Sequence, residues 1–323
     1  IVSSFIGEKL AKILEDIENS VPANAIMSPT QKTEIKLGIG KIPEVLLDNT
    51  DRNRTSPVAF TGNRFEFRAV GSSQNPASLL IAVNTAVANQ LELFFNDVKK
   101  VVKTGVKKDE AILKVLKKYI SESKNIIFNG NGYSSEWIAE AAQRGLSNIK
   151  DVQKALEHYI SEKSIILFTK SKIFTEREVR ARYEVRLDKY KKTLQIESRI
   201  LGDIVQNHII PAVVKYQNIL MENVTKQKIL FEQSEFEQLA KQPLELIKYI
   251  SQTINEIQEL NDLMRRARKH ANNVEDIEES SRLYIDNVKP YLFAIREKVD
   301  KLERVIDDQL WPLPKYREML YSL

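Results

Sequence analysis

The stretch Phe60-Thr61-Gly62-Asn63-Arg64-Phe65-Glu66-Phe67-Arg68-Ala69-Val70 alternates charged and apolar side chains from Arg64 onward. A period of two predicts a strand with Arg64, Glu66 and Arg68 on one face and Phe65, Phe67 and Ala69 on the other, against a core. Neighbours on one face stand about 7 Å apart, so the row reads guanidinium, carboxylate, guanidinium. Such a row can hold an anion at each end and a hard cation in the middle, which suits the lining of a phosphoryl-transfer site. A surface strand whose charges simply pair is the competing reading of the same spacing.

The segment just before it, Leu47-Asp48-Asn49-Thr50-Asp51-Arg52-Asn53-Arg54-Thr55-Ser56-Pro57, reads as a polar loop and adds Arg52 and Arg54. Arginine binds carboxylate and phosphate oxygens through a planar fork and stays charged at any working pH. Two like charges about 7 Å apart repel by roughly 2 kcal/mol at an effective dielectric of ~20, so the cluster calls for anions. Asp48, Asp51 and Glu66 supply three carboxylates against four arginines.

Outward from this centre the chain turns helical. Ile1, Phe5, Ile6, Leu10, Ile13 and Leu14 predict an amphipathic helix at the start. Ser20 to Thr33 reads as a loop, and Ile35 to Leu47 as a short helix or strand. A long helix over Ser78 to Val101 is expected to pack behind the arginine strand. Its most apolar run, Leu79 to Phe95, carries Asn84, Asn89, Gln90 and Glu92 and reads as a buried helix, because a spanning helix needs about 20 predominantly apolar residues.

Ala111 to Ser123 predicts another helix. The turn Asn129-Gly130-Asn131-Gly132 follows, and Ser134 reads as the N-cap of a helix running to Gly145. The same turn could instead present amides to a phosphate. From about residue 175 three stripes repeat: Tyr183, Leu187, Tyr190, Leu194, Leu201, Ile204; then Ile247, Ile250, Ile254, Ile257; then Val288, Leu292, Ile295, Val299, Leu302, Ile306. They predict a long antiparallel bundle with coiled-coil-like packing, its first helix kinked at Pro211. The arms come to about 45 to 60 Å. Charged runs such as Arg265-Arg266-Ala267-Arg268-Lys269 read as solvated faces. The expected fold is mainly α with a minor β part, divided into residues 1–100 and a helical region over 101–323.

Composition narrows the function classes. Ten glycines and ten prolines in 323 residues suit a helix-rich chain. A net charge of +5 is too diffuse for a nucleic-acid partner, and no basic block or aromatic RNA-binding motif accompanies it. Zero cysteines exclude disulfides, thiol catalysis and cysteine metal sites, and fit a reducing cytoplasm. The three histidines, His158, His208 and His270, all fall in helical patterns. His208 sits near the Leu201 and Ile204 stripe and reads as a core histidine rather than a metal ligand.

The order Asp51-Arg52-Asn53-Arg54-Thr55-Ser56-Pro57, then Asn63-Arg64-Phe65-Glu66-Phe67-Arg68, then Asn75-Pro76, resembles the C-terminal part of the glutamine synthetase catalytic domain. Asp48 to Pro57 and Gly71-Ser72-Ser73-Gln74 resemble the long type III members, as do Phe128-Asn129-Gly130-Asn131-Gly132-Tyr133-Ser134 and Leu310-Trp311-Pro312-Leu313-Pro314. The likeness implies a fragment of the α+β catalytic domain followed by the helical bundle. It implies glutamate–ammonia ligase activity through γ-glutamyl phosphate, with glutamate and ammonia as substrates and ATP and Mg2+ or Mn2+ as cofactors. It also implies nitrogen metabolism, a cytoplasmic location with no membrane partner, and self-association into a ring, as stacked hexamers.

Position by position, the resemblance makes Glu66 a metal ligand and Arg68 the holder of the glutamate carboxylate. It sets Arg64, Arg54 and, less directly, Arg52 against ATP phosphate, with Arg54 and Arg64 acting in catalysis. Two departures stand out: Arg68 is followed by Ala69-Val70-Gly71 where the commoner pattern has Arg-x-Pro-Asp, and Pro76 by Ala77 where it has tyrosine. The chain starts at Ile1, and other family ligands lie upstream in the pattern, so the expectation is a piece of a longer polypeptide, inactive alone. The reading from a different class is a helical scaffold or oligomerisation module whose arginine strand only makes ion pairs.

Overall fold

Backbone pairing and helix periodicity organise residues 1–19, 56–60, 64–69, 71 and 73–321, which the computed structural model describes. The structure is 75% helical with one small sheet. In chain order its elements are β1 (Ser4–Phe5), α1 (Glu8–Asn19), β2 (Val58–Phe60), β3 (Phe65–Phe67), α2 (Ala77–Lys103), α3 (Lys108–Ser123), α4 (Ser135–Gln143), α5 (Val152–Glu157), α6 (Glu162–Lys170), α7 (Glu176–Ile204), α8 (Ile210–Leu230), α9 (Gln233–Leu239), α10 (Lys241–Asn272), α11 (Ile277–Leu283), α12 (Lys289–Glu303) and α13 (Tyr316–Tyr321). Two compact units result: residues 1–155 with 161–176, and residues 156–160 with 177–323. The expected loop at 20–33 and the helix or strand at 35–47 lie outside the described residues.

In the first unit the sheet runs β1-β2-β3, with β1 parallel and β3 antiparallel to β2, and Ile127 bridges Ser4. The expected N-terminal helix is therefore shortened. Ser4–Phe5 is a strand because its backbone pairs with β2 and with the 127 region, and Gly7, at φ 77°, turns the chain into α1. That left-handed angle favours glycine. Phe5 and Ala59 are fully buried. Ser3 donates to Ser56 Oγ at 2.8 Å, and Ser56 donates to the Phe128 carbonyl at 2.9 Å, tying three chain segments together.

Helices α2 and α3 pack through Val98, Ala111 and Val115, with Phe94 meeting Tyr119 edge-on and Tyr119 donating to Asp97 at 3.0 Å. The expectation of a buried helix over Leu79 to Phe95 is corrected. Only Thr85 and Val98 of α2 are buried, while Leu80, Val87, Leu91 and Phe95 are each more than half exposed. The helix leans on α3 and α6 rather than on the arginine strand, so nothing described covers its apolar side. By length and composition alone α2 could also cross a membrane.

The second unit is the predicted antiparallel bundle of long helices. Val179, Tyr183, Leu187 and Leu194 of α7, Ile250, Ile254 and Ile257 of α10, and Ile295, Val299 and Leu302 of α12 are buried. At 1.5 Å per residue the 32-residue α10 is about 48 Å long. Trp311 closes the core, with Leu313 packed beside it.

Two prolines of the second unit stand just after a π turn, Pro211 after Val205–Ile209 and Pro290 after Tyr284–Val288. Proline cannot donate and its ring collides with the carbonyl four residues back. The wider turn, in which Ile210 N–H reaches the Val205 carbonyl, makes room. It also adds a residue, which moves the stripe from Leu201 to Val205, Ile209 and Val213 and leaves His208 exposed. The core-histidine reading of His208 is thereby overturned.

Candidate functional site

The strand β3 carries the charged row, and its register shows how. Glu66 stands opposite Ala59, while Phe65 and Phe67 face Phe60 and Val58. Cross-strand partners share a face, so Glu66 projects on the side of buried Ala59 and the phenylalanines on the other. Phe60 and Phe65 meet at 5.1 Å between ring centres. The alternation is as expected, but Phe65 is 64% and Phe67 39% exposed, so the apolar face is not closed by a core within the described residues.

Arg68 donates to Glu66 Oε2 at 3.0 Å, and Arg64 reaches Glu66 Oε1 at 3.6 Å. Both guanidiniums therefore converge on one carboxylate. The trio is not buried: the side chain of Arg64 is 71% exposed, and those of Glu66 and Arg68 about one third. The Arg68 amide also donates to the Pro57 carbonyl at 2.7 Å, which continues the ladder past the strand end. Arg52 and Arg54 lie outside the described residues.

The turn after Phe128 serves as a clasp. Asn129 Oδ1 accepts from the amides of Ile6 and Gly7, both at 3.2 Å, fixing the passage from β1 to α1. Asn131 Oδ1 accepts from Tyr133 N–H at 3.0 Å, and Ser134 Oγ caps α4 by accepting from Trp137 N–H at 3.1 Å. Trp137 stacks on Phe128 at 3.6 Å, and Arg144 lies over both rings while donating to the Ile127 carbonyl at 2.8 Å. This turn-and-cap arrangement is the one the sequence suggested, and the Asn129 side chain spends its acceptor on protein amides rather than facing a phosphate.

Could this surface hold a divalent metal by itself? Magnesium wants near-octahedral oxygen coordination and calcium still more ligands. Among the described residues no group of three or more acidic or histidine side chains converges, so the chain offers Glu66 as a single ligand, already engaged by arginine. The described residues alone do not make a metal site.

Residues 111–228 match the family model described as the glutamine synthetase C-terminal domain. Over these residues the chain is similar to that domain. It is 50% identical over 322 residues to a glutamine synthetase of Bacteroides fragilis, covering 100% of this chain and 44% of that protein. It is 33% identical to a type-3 glutamine synthetase of Dictyostelium discoideum, covering 99% of this chain and 43% of the relative. A glutamine synthetase of Butyrivibrio fibrisolvens is 30% identical over 329 residues, with 44% of its length covered. The chain thus spans less than half the length of these curated relatives. The glutamine synthetase C-terminal domain match begins in α3 and ends in α8, so it takes in the Asn129 clasp and the Trp137 stack. The charged row on β3 lies outside it but inside the whole-length similarity.

Proposed function

We propose that this chain is the C-terminal portion of an ATP-dependent glutamate–ammonia ligase that makes glutamine through γ-glutamyl phosphate. The observation that carries the reading is the whole-chain similarity to glutamine synthetases together with a strand that sets Arg64, Glu66 and Arg68 on one exposed face. In this reading Arg68 holds the carboxylate of glutamate, Arg64 and Arg54 face ATP phosphate with Arg52 nearby, and Glu66 gives one oxygen to a divalent metal, Mg2+ or Mn2+. The metal, when bound, supplies charge neutralisation for the phosphates. What this chain contributes is fixed positive charge and orientation, the main needs of phosphoryl transfer. The Glu66 carboxylate, bridged by two arginines, keeps both guanidiniums aimed at one place until ligands arrive.

Residues 1–100 then belong to the catalytic part and 101–323 to a helical region, in a cytoplasmic, ring-forming homo-oligomer of stacked hexamers. The remaining ligands come from the rest of a polypeptide as long as the relatives, and the 323-residue chain alone is inactive.

The test is glutamine formation by the full-length polypeptide with Glu66→Gln and Arg68→Gln. Arg68→Gln is expected to raise the KM for glutamate and to lower kcat/KM on the order of 10²-fold, the range seen when one fixed transition-state donor is lost. Glu66→Gln is expected to raise the metal concentration needed for half-maximal rate. Unchanged kinetics in both variants would favour the scaffold reading.

A further inference from the structure

The long helices α7 and α10 are held in register at two points. Near one, Gln195 Nε2 donates to Asn272 Oδ1 at 2.9 Å, and the buried Tyr284 hydroxyl donates to the same oxygen at 2.7 Å. Near the other, a Cβ placed on Gly202 would sit 3.0 Å from Asn261 Oδ1 and 3.8 Å from Met264. Between these points the antiparallel register sets Arg199, one turn after Gln195, opposite Arg268, one turn before Asn272.

Two like charges facing each other would ordinarily be offset by a carboxylate. Arg268 has Met264, Arg265, Ala271 and Asn272 as its helical neighbours at three and four residues, so its own helix offers none. Arg199 has Asp203 one turn on, but the two form no ion pair, and Asp203 accepts instead from Asn207 at 2.6 Å. The third cation, Arg265, is paired with Asp262 at 3.0 Å. Among the described residues neither Arg199 nor Arg268 has an acidic partner. Arg268 is half-buried, and its burial, with Arg199 and Arg265 beside it, weakens its hold on its proton, while Tyr284 opposes that effect. The Asn272 oxygen is already taken by two donors and has no lone pair left for either guanidinium.

We infer that Arg199 and Arg268 form a binding site for a small phosphate-type oxyanion, gripped between α7 and α10 by two guanidinium forks. A doubly charged tetrahedral anion matches two bidentate donors and cancels their repulsion. The site does not depend on the ligase reading, because it lies wholly in the helical bundle.

The experiment is calorimetric unfolding of the full-length polypeptide in phosphate, pyrophosphate and chloride at equal ionic strength, for the natural sequence, Arg199→Gln and Arg268→Gln. A ligand held tenfold above its dissociation constant stabilises only the folded state, and for a unit of this size the expected rise in Tm is about 3 °C. Phosphate bound elsewhere acts on all three proteins alike, so the difference isolates this site. Arg199 is exposed, so Arg199→Gln should fold normally and in chloride be at least as stable as the natural chain, since it relieves a repulsion. A structural ion-pair residue would behave oppositely. An equal Tm rise in all three proteins would overturn the proposal, as would no phosphate response in the natural sequence. Dissociation of an assembly by Arg199→Gln without any phosphate effect would also overturn it, and would make a partner's carboxylate the occupant.

Discussion

Tyr183 shows how much a single buried polar atom can govern. Its ring is 3% exposed in the bundle core, and burial, followed by a hydrogen bond with Glu278, pushes its hydroxyl up to about 12 from 10. Folding therefore favours the neutral phenol. The stability this confers is complete below the unfolded value near 10 and is lost as pH climbs from there through about 12. Urea midpoints measured across that range should fall, and Tyr183→Phe, which keeps the ring and removes the proton, should fall less steeply. A similar slope in both proteins would mean that other groups carry the alkaline loss. Asn129 works at the same scale by different means, using one side-chain oxygen to hold two backbone amides across more than 120 residues of sequence. Its neighbour Gly130 has no room for a side chain, because an added Cβ would sit 2.8 Å from the Phe128 ring.

At the scale of the element, the π turn before Pro211 is one extra residue in an otherwise continuous helix. It keeps both flanking faces on the core: Leu194 and Val205 on one side, Ile209, Val213 and Gln217 on the other. Gln217 even reaches across to the Ile247 carbonyl at 3.1 Å and Ser251 Oγ at 2.6 Å. Deleting the exposed Asn207 should therefore restore α geometry without turning either face away. It should cost about 3 kcal/mol, because Pro211 then collides with the preceding turn. Combining the deletion with Pro211→Ala should recover most of that loss in urea unfolding. Deleting exposed Lys192 from the middle of α7 should do far worse, because a residue lost from regular helix rotates everything beyond it by about 100°. The periodicity of Tyr183, Leu187 and Leu194 was readable because it is local, whereas the frame shift that expels His208 depends on how a proline is accommodated.

For the molecule as a whole, what was legible followed the range of the interactions. The bundle, the cap at Ser134 and the face shared by Arg64, Glu66 and Arg68 rest on spacing within one element, and all appear in the structure. The strand at Ser4–Phe5 did not, since its partners lie at Val58 and Ile127, and apolar spacing alone cannot distinguish it from the start of a helix. The burial of α2 was misread because an apolar helix reveals its need for a partner but not whether that partner lies in the same chain. Leu80, Val87, Leu91 and Phe95 remain exposed on it, and Phe65 on β3. Contiguous apolar surface of this kind drives association in water. The 323-residue chain prepared alone should therefore bind a hydrophobic dye and sediment as aggregates. Leu91→Glu with Phe95→Glu should reduce both effects while leaving the helical circular dichroism unchanged, because neither side chain supports the Val98, Ala111 and Val115 contact between α2 and α3. If the doubly substituted chain aggregates as before, the apolar side of α2 is not the adhesive surface, and its hydrophobicity requires another explanation.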